Sequence, residues 1–298
     1  MKRYLAIASV LFVLAFSACQ PKPRTAVLID PELETLVPAD TTVAMGADLD
    51  SIHGTHVFQK YLDQVKLPQL DEFARKTGVD PRKDLGQILS CSNGKTGLFM
   101  ARGKFSSGIH IDGAQRLDYK GHTLLGDDRS AVLFLNSSTA IAGLTPELHR
   151  LVDQRNQGGL PPALKAKLAG LGSANQIWAV FTGGLQGLNL GLPEDSNAGQ
   201  VLQVFRGLES GFAGINLRDG FSLAAQLEGR TPSDAKHVRD AIKGVIGLGR
   251  LSTPDNQPDM LKLYDAIQVG LDQNRVTVDV KLAPELEDKF LDLWLGKR

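Results

Sequence analysis

The chain has 298 residues, with 33 lysines and arginines against 33 aspartates and glutamates, and 42% of its residues are apolar. So even a balance lacks the cationic excess with which proteins grip a phosphate backbone or an acidic lipid surface, and aromatics at 6% are too sparse for base-stacking platforms. The apolar content is ample for a core, and the length suits two modest domains or one large one.

Residues 1–18 read as an export signal: Lys2-Arg3, an apolar run from Tyr4 to Phe16, then the small residues Ser17-Ala18 before Cys19. The run makes about 20 Å of helix, against a hydrocarbon core of about 30 Å. It is too short to span.

Leu14-Ala15-Phe16-Ser17-Ala18-Cys19 resembles the lipobox of bacterial lipoproteins, with Phe16 where the family usually carries Leu. The resemblance implies cleavage between Ala18 and Cys19, a diacylglycerol thioether on the Cys19 sulfur and an acyl group on its new amine. The membrane is then engaged through lipid on Cys19. Gln20, in place of Asp, implies sorting to the outer rather than the inner membrane of the envelope. With Cys19 lipidated, Cys91 has no partner within the chain, and its place in an apolar strand predicts a buried, inert thiol.

Residues 19–35 form a lipidated tether, since Pro21, Pro23 and Pro31 interrupt any apolar period. A first α+β unit is expected over 36–155. It begins with a strand from Thr42 to Leu49, followed by a helix capped by Ser51 and running to about Gln64. A short helix from Leu67 to Lys76 stops at Gly78, and Asp80-Pro81 opens one further turn. Asn93-Gly94 between apolar runs predicts a hairpin of Gln87–Ser92 with Lys95–Arg102. The segment from Gly103 to Arg116 is ambiguous. Strands follow over Tyr119–Gly126, Ala131–Asn136 and Thr139–Leu144, broken by Gly121, Asp127-Asp128 and Ser137-Ser138, and Thr145-Pro146-Glu147 caps a helix to about Arg155.

A linker and short helix occupy 156–175, with Asn156 to Pro162 the clearest break in the chain. The second α+β unit, 176–298, reads as a strand Gln176–Thr182, a Gly-rich loop and a helix Ala198–Leu208. A hairpin of Ser210–Asn216 with Phe221–Glu228 comes next. A long amphipathic helix starts at Ser233, with Gly244, Gly247 and Gly249 weakening its end, and a helix Pro258–Ile267 follows. The last hairpin pairs Val269–Asp272 with Arg275–Leu282, and Pro284–Leu295 closes the chain. Pro-Glu helix starts after a strand pair recur at Pro146 and Pro284, which suggests two copies of one α+β unit. The predicted fold class is α+β, two similar units of antiparallel hairpins packed against helices. The body also resembles secreted bacterial proteins with a Pro-Ala-Asp start, here Pro38–Asp40, and a segment like Thr77–Leu85. That resemblance brings no activity with it.

No motif amounts to a catalytic or cofactor-binding signature. Gly94-Lys95-Thr96 lacks the earlier glycine of a phosphate loop, Leu89 standing in its place, and a strand rather than a helix follows. His53 and His56 have helical spacing for a shared metal, but only Asp48 and Asp50 lie near. Asp127-Asp128 lacks the alternating oxygens of a calcium loop. The expectation is therefore a lipid-anchored envelope protein that acts by binding, with no cofactor, metal or nucleic acid. Its partner is the membrane and, beyond that, an envelope protein. A hydrolase with a dispersed site and a carrier of a small apolar ligand stand as the alternatives.

Overall fold

The computed structural model describes residues 28–62, 68–105, 109–154, 157–184, 205–218 and 220–295. Helix α1 (Pro31–Leu36) starts on Asp30, whose carboxylate accepts from the Glu32 amide at 2.8 Å. Strand β1 (Val43–Asp48) leads into α2 (Leu49–His53), a π-type turn (Phe58–Leu62), α3 (Pro68–Thr77) and α4 (Pro81–Asp84). The strands β2 (Leu85–Ser92), β3 (Gly97–Gly103), β4 (Gln115–Tyr119), β5 (His122–Gly126), β6 (Ser130–Asn136) and β7 (Thr139–Leu144) run to α5 (Thr145–Asp153). Helix α6 (Pro162–Ala169) precedes β8 (Ile177–Thr182), β9 (Leu208–Asn216) and β10 (Ser222–Gly229). Then come α7 (Pro232–Leu251), α8 (Pro258–Asp265), β11 (Ile267–Asp272), β12 (Arg275–Lys281) and α9 (Pro284–Leu295).

The twelve strands among the described residues join in one antiparallel sheet, in the order β11-β12-β10-β9-β8-β1-β2-β3-β7-β6-β5-β4. The fold is α+β. The two halves meet where β8 pairs with β1, and the strand order outward from that seam matches. Each half runs three consecutive strands, then its last strand, then the one before it. The first half adds the β4–β5 hairpin at its edge, and the second half instead places α7 and α8 between β10 and β11.

Side chains alternate across the sheet, so each face has its own core. On the first face, Ala44, Leu89, Met100, Leu133, Ile141 and Val180 pack under Leu33 of α1, Leu148 of α5 and Leu164 of α6. On the second face, Phe181 and Val276 meet Ala235 and Val238 of α7, and Ile177 and Ile215 meet Leu291 of α9. The two Pro-Glu helices, α5 and α9, thus lie on opposite faces. Their common sequence reflects how a helix starts after a strand, not a common packing site.

Several local expectations are corrected. Asp48, not Ser51, caps α2: its carboxylate accepts from the Ser51 amide at 3.0 Å and hydroxyl at 2.6 Å. That helix ends at Gly54 instead of continuing to Gln64, because the buried Thr55 hydroxyl donates to the Ile52 carbonyl at 2.7 Å and begins a new turn. The span Tyr119–Gly126 is not one strand but the hairpin β4–β5, turned at Lys120 (φ 47°) and Gly121 (φ 81°). Thr145 does not cap α5; its hydroxyl donates to the Asp127 carbonyl at 2.7 Å. The helix expected over Ala198–Leu208 lies largely outside the described residues, and Leu208 itself opens β9. The glycines late in α7 do not end it before Leu251. Gly249 is there because a side chain would run into the Tyr264 ring of α8.

Glu287, in the first turn of α9, is only 4% exposed, and its Oε1 has no hydrogen-bond partner among the described residues. Burial pushes its pKa up, helped by the Asp288 charge and opposed by the Phe221 amide and His56. A carboxyl with a raised folded-state pKa stabilises fully below its unfolded value and loses that stability as pH rises through the folded value. Glu287→Gln is therefore expected to gain about 1 kcal/mol at pH 7 and to converge on the parent at acid pH. Urea unfolding at both pH values measures this, and an equal or larger gain in acid would contradict it.

Candidate binding groove

Cys19 and Ala18 lie outside the described residues. The structure does not bring the histidine pair together: the His53 ring packs edge-on against Phe58 at 4.5 Å, whereas His56 Nε2 reaches Asp288 at 3.2 Å. Among the described residues, no three His, Cys, Asp or Glu side chains converge to hold a metal ion. Asp48 is a helix cap. Asp127 accepts from the Arg129 and Ser130 amides at 2.9 and 2.8 Å, which hold its pKa below the usual carboxylate range. Gly94-Lys95-Thr96 belongs to a four-residue hairpin turn in which Asn93 Oδ1 accepts from the Lys95 and Thr96 amides. The turn therefore holds four residues, not the two that Asn-Gly suggested, and β3 begins only at Gly97. Cys91 is buried in β2, and burial pushes its thiol pKa up to about 12.

A polar cleft of about 480 Å³ gathers Asp30, Asp48, Asp50, Asp84, Lys83 and Arg102. Its charges are largely committed to the fold. Asp30 and Asp48 cap helices, Asp84 accepts from the Asp80 amide at 2.7 Å, and Arg102 pairs with Glu32 at 2.6 Å.

The first half of the second face is different in kind. There β2, β3, β7 and β6 stand side by side and present Ile88, Phe99, Ala101, Ala140, Ala142, Val132 and Phe134, with no helix laid across them among the described residues. Thr77 and Val79 wall one side, at the end of α3. Phe105, Ile109 and Ile111 come over from the segment after β3. The Phe105 and Phe134 rings lock edge to face at 5.7 Å. The groove so formed encloses about 310 Å³, and among the described residues Thr77 is its one polar lining residue. That volume is at the lower end of the about 300–1,000 Å³ of small-molecule sites.

A second hollow of about 680 Å³ abuts the first, sharing Phe99, Ile111, Val132 and Ala142, with Lys95, Asp112 and Asp127 among its other residues. Phe99 stands between them, 60% exposed. Leaving it so forgoes on the order of 1 kcal/mol of burial. Met45, 41% exposed, lies in the same cross-strand row through Ser90. The arrangement can receive an apolar chain or side chain, and among the described residues its inner part has no charged group to hold a polar one.

The groove escaped the sequence reading, although a signal was present. Leu98-Phe99-Met100-Ala101 and Ala131-Val132-Leu133-Phe134 are apolar at both parities, the pattern of strands covered on both faces. Only the packing shows that one of those faces has no helix on it among the described residues.

No protein-family model matches the sequence, and no curated protein does. Among solved structures, crystal form III of TP0453 matches with a TM-score of 0.50 at 10% identity, over 89% of this chain and 98% of that one. Crystal form I of TP0453 gives 0.45 at 10% identity, over 91% and 98%. At such identity the form III match speaks for the fold alone: the mixed α+β architecture is shared over most of both chains.

Proposed function

We propose that this chain is a lipid-anchored protein of the cell envelope, at the outer membrane, that acts by binding, and that the group it binds is apolar and seats in the groove of β2, β3, β7 and β6. The observation that carries this reading is the nearly all-carbon lining with an exposed Phe99 at its mouth. Desolvating such a surface favours an apolar guest by about 25 cal/mol per Å² of area removed from water. A second reading, a scaffold for an envelope protein, draws on a different surface: Val245, Leu248 and Leu251 of α7 are 51%, 66% and 85% exposed.

The test uses cells making the full chain and a photoactivatable long-chain fatty acid. Labelling is expected on peptides from β3 and from β6–β7, and Ala142→Trp, which fills the groove from its floor, should lower it at least tenfold with thermal unfolding unchanged. Absence of labelling, or labelling indifferent to Ala142→Trp, would sink the groove reading. Cross-linking of an envelope protein to α7 instead would favour the scaffold.

A further inference from the structure

The free edge of the sheet at β4 is self-complementary, and we propose that it pairs with the same strand of a second copy of this chain. β4 ends the strand order, and no strand lies beyond it among the described residues. It is joined to β5 by the two-residue turn Lys120-Gly121, with Tyr119 opposite His122. In a hairpin of this length the residues flanking the turn exchange both backbone hydrogen bonds, and the exchange recurs at every second pair. Tyr119, Leu117 and Gln115 therefore direct their amides and carbonyls to β5. Arg116 and Asp118 direct theirs to the open edge.

Antiparallel self-pairing about Leu117 uses all of these outward groups. Arg116 of each copy then lies opposite Asp118 of the other, each pair exchanging two backbone hydrogen bonds, and Leu117 meets Leu117 of the second copy. Both charged side chains are exposed. They stand on one face of the strand, linked through Thr123, which accepts from Arg116 at 3.0 Å and donates to Asp118 at 3.3 Å. Opposite charges directly across a strand pair stabilise it, and like charges destabilise it. Moving the two-fold to Arg116 or to Asp118 sets like charges face to face, so charge selects the Leu117 register over its neighbours. β11, at the other edge, has no such pattern, since Asp272 is its one charged residue. Five residues a side bury less than the about 1,200 Å² of a stable interface, so the dimer is weak and reversible.

The experiment is sedimentation equilibrium of the full chain in detergent micelles, with a charge-reversal cycle. Arg116→Asp and Asp118→Arg are each expected to weaken association on the order of tenfold, and the double reversal to restore it. Leu117→Cys is expected to form a disulfide-linked dimer on mild oxidation, since residues directly opposite across non-hydrogen-bonded positions have Cβ atoms about 4.5–5.5 Å apart. A wild-type chain that stays monomeric and a Leu117→Cys chain that fails to cross-link would together refute the proposal. So would a dimer unmoved by either single reversal. A double reversal as weak as the single ones would also refute it, because it would mean that the residues act on the fold of the monomer.

Discussion

Trp178→Ala is expected to lower the unfolding free energy by about 3–5 kcal/mol, the range for removing a large aromatic from a packed interior. Trp178 lies on β8 at the seam where the halves join, is 3% exposed, and sits directly opposite Gly46 of β1. Its indole covers the glycine so closely that any side chain at 46 would penetrate the ring. The indole Nε1 also donates to the Leu28 carbonyl at 3.2 Å, beside a second donor, Gln87 Nε2, at 3.3 Å. One residue thus fills the first-face core, joins β1 to β8 and fastens the chain at Leu28, just before α1, in a stretch that the sequence read as a tether and that packs on the sheet instead.

Gly46→Ala should cost less, about 1–3 kcal/mol, as an overpacking change. The double variant should cost less than the sum, because Ala at 46 enters space the indole has vacated. Urea unfolding of the three proteins measures all of this. A loss below 1 kcal/mol for Trp178→Ala, or strict additivity, would show that the seam is looser than its packing implies.

Cys19→Ala is expected to abolish acyl labelling and release the chain from membranes. Each buried methylene contributes about 0.8 kcal/mol, so one acyl chain holds only marginally whereas two or more hold stably. Loss of the thioether therefore changes partition by orders of magnitude, not by a fraction. Cys91 is not a substitute: its thiol is buried and its pKa stands at about 12, so it offers almost no thiolate to an acyl donor. Metabolic labelling with a fatty acid, followed by membrane fractionation, decides the matter. Unchanged labelling in the variant would remove the anchor from the proposed function.

Much of the local structure was legible because its causes are local. Asp80-Pro81 starts α4 with the Asp80 carboxylate on the Arg82 amide, as a cap followed by proline should. Gly78, at φ 72°, ends α3 as predicted. The misreadings came where two local solutions competed. Both Asp48 and Ser51 are good caps, and the chain used the one at the end of β1. Gly121 alone reads as a break in a strand, whereas Lys120 and Gly121 together, two consecutive residues of positive φ, make a tight reversal.

By itself the sequence determined the α+β class, most hairpins, most of the helix starts and the buried character of Cys91, since alternation, turn chemistry and capping act over a few residues. Tertiary structure alone decided that the halves share one sheet, that α5 and α9 take opposite faces, and that β2, β3, β7 and β6 keep an apolar face uncovered by the described residues. Those outcomes depend on which distant strands pair and on where helices run out before the sheet does. A residue's alternation says that it faces a layer, but not whether that layer is present.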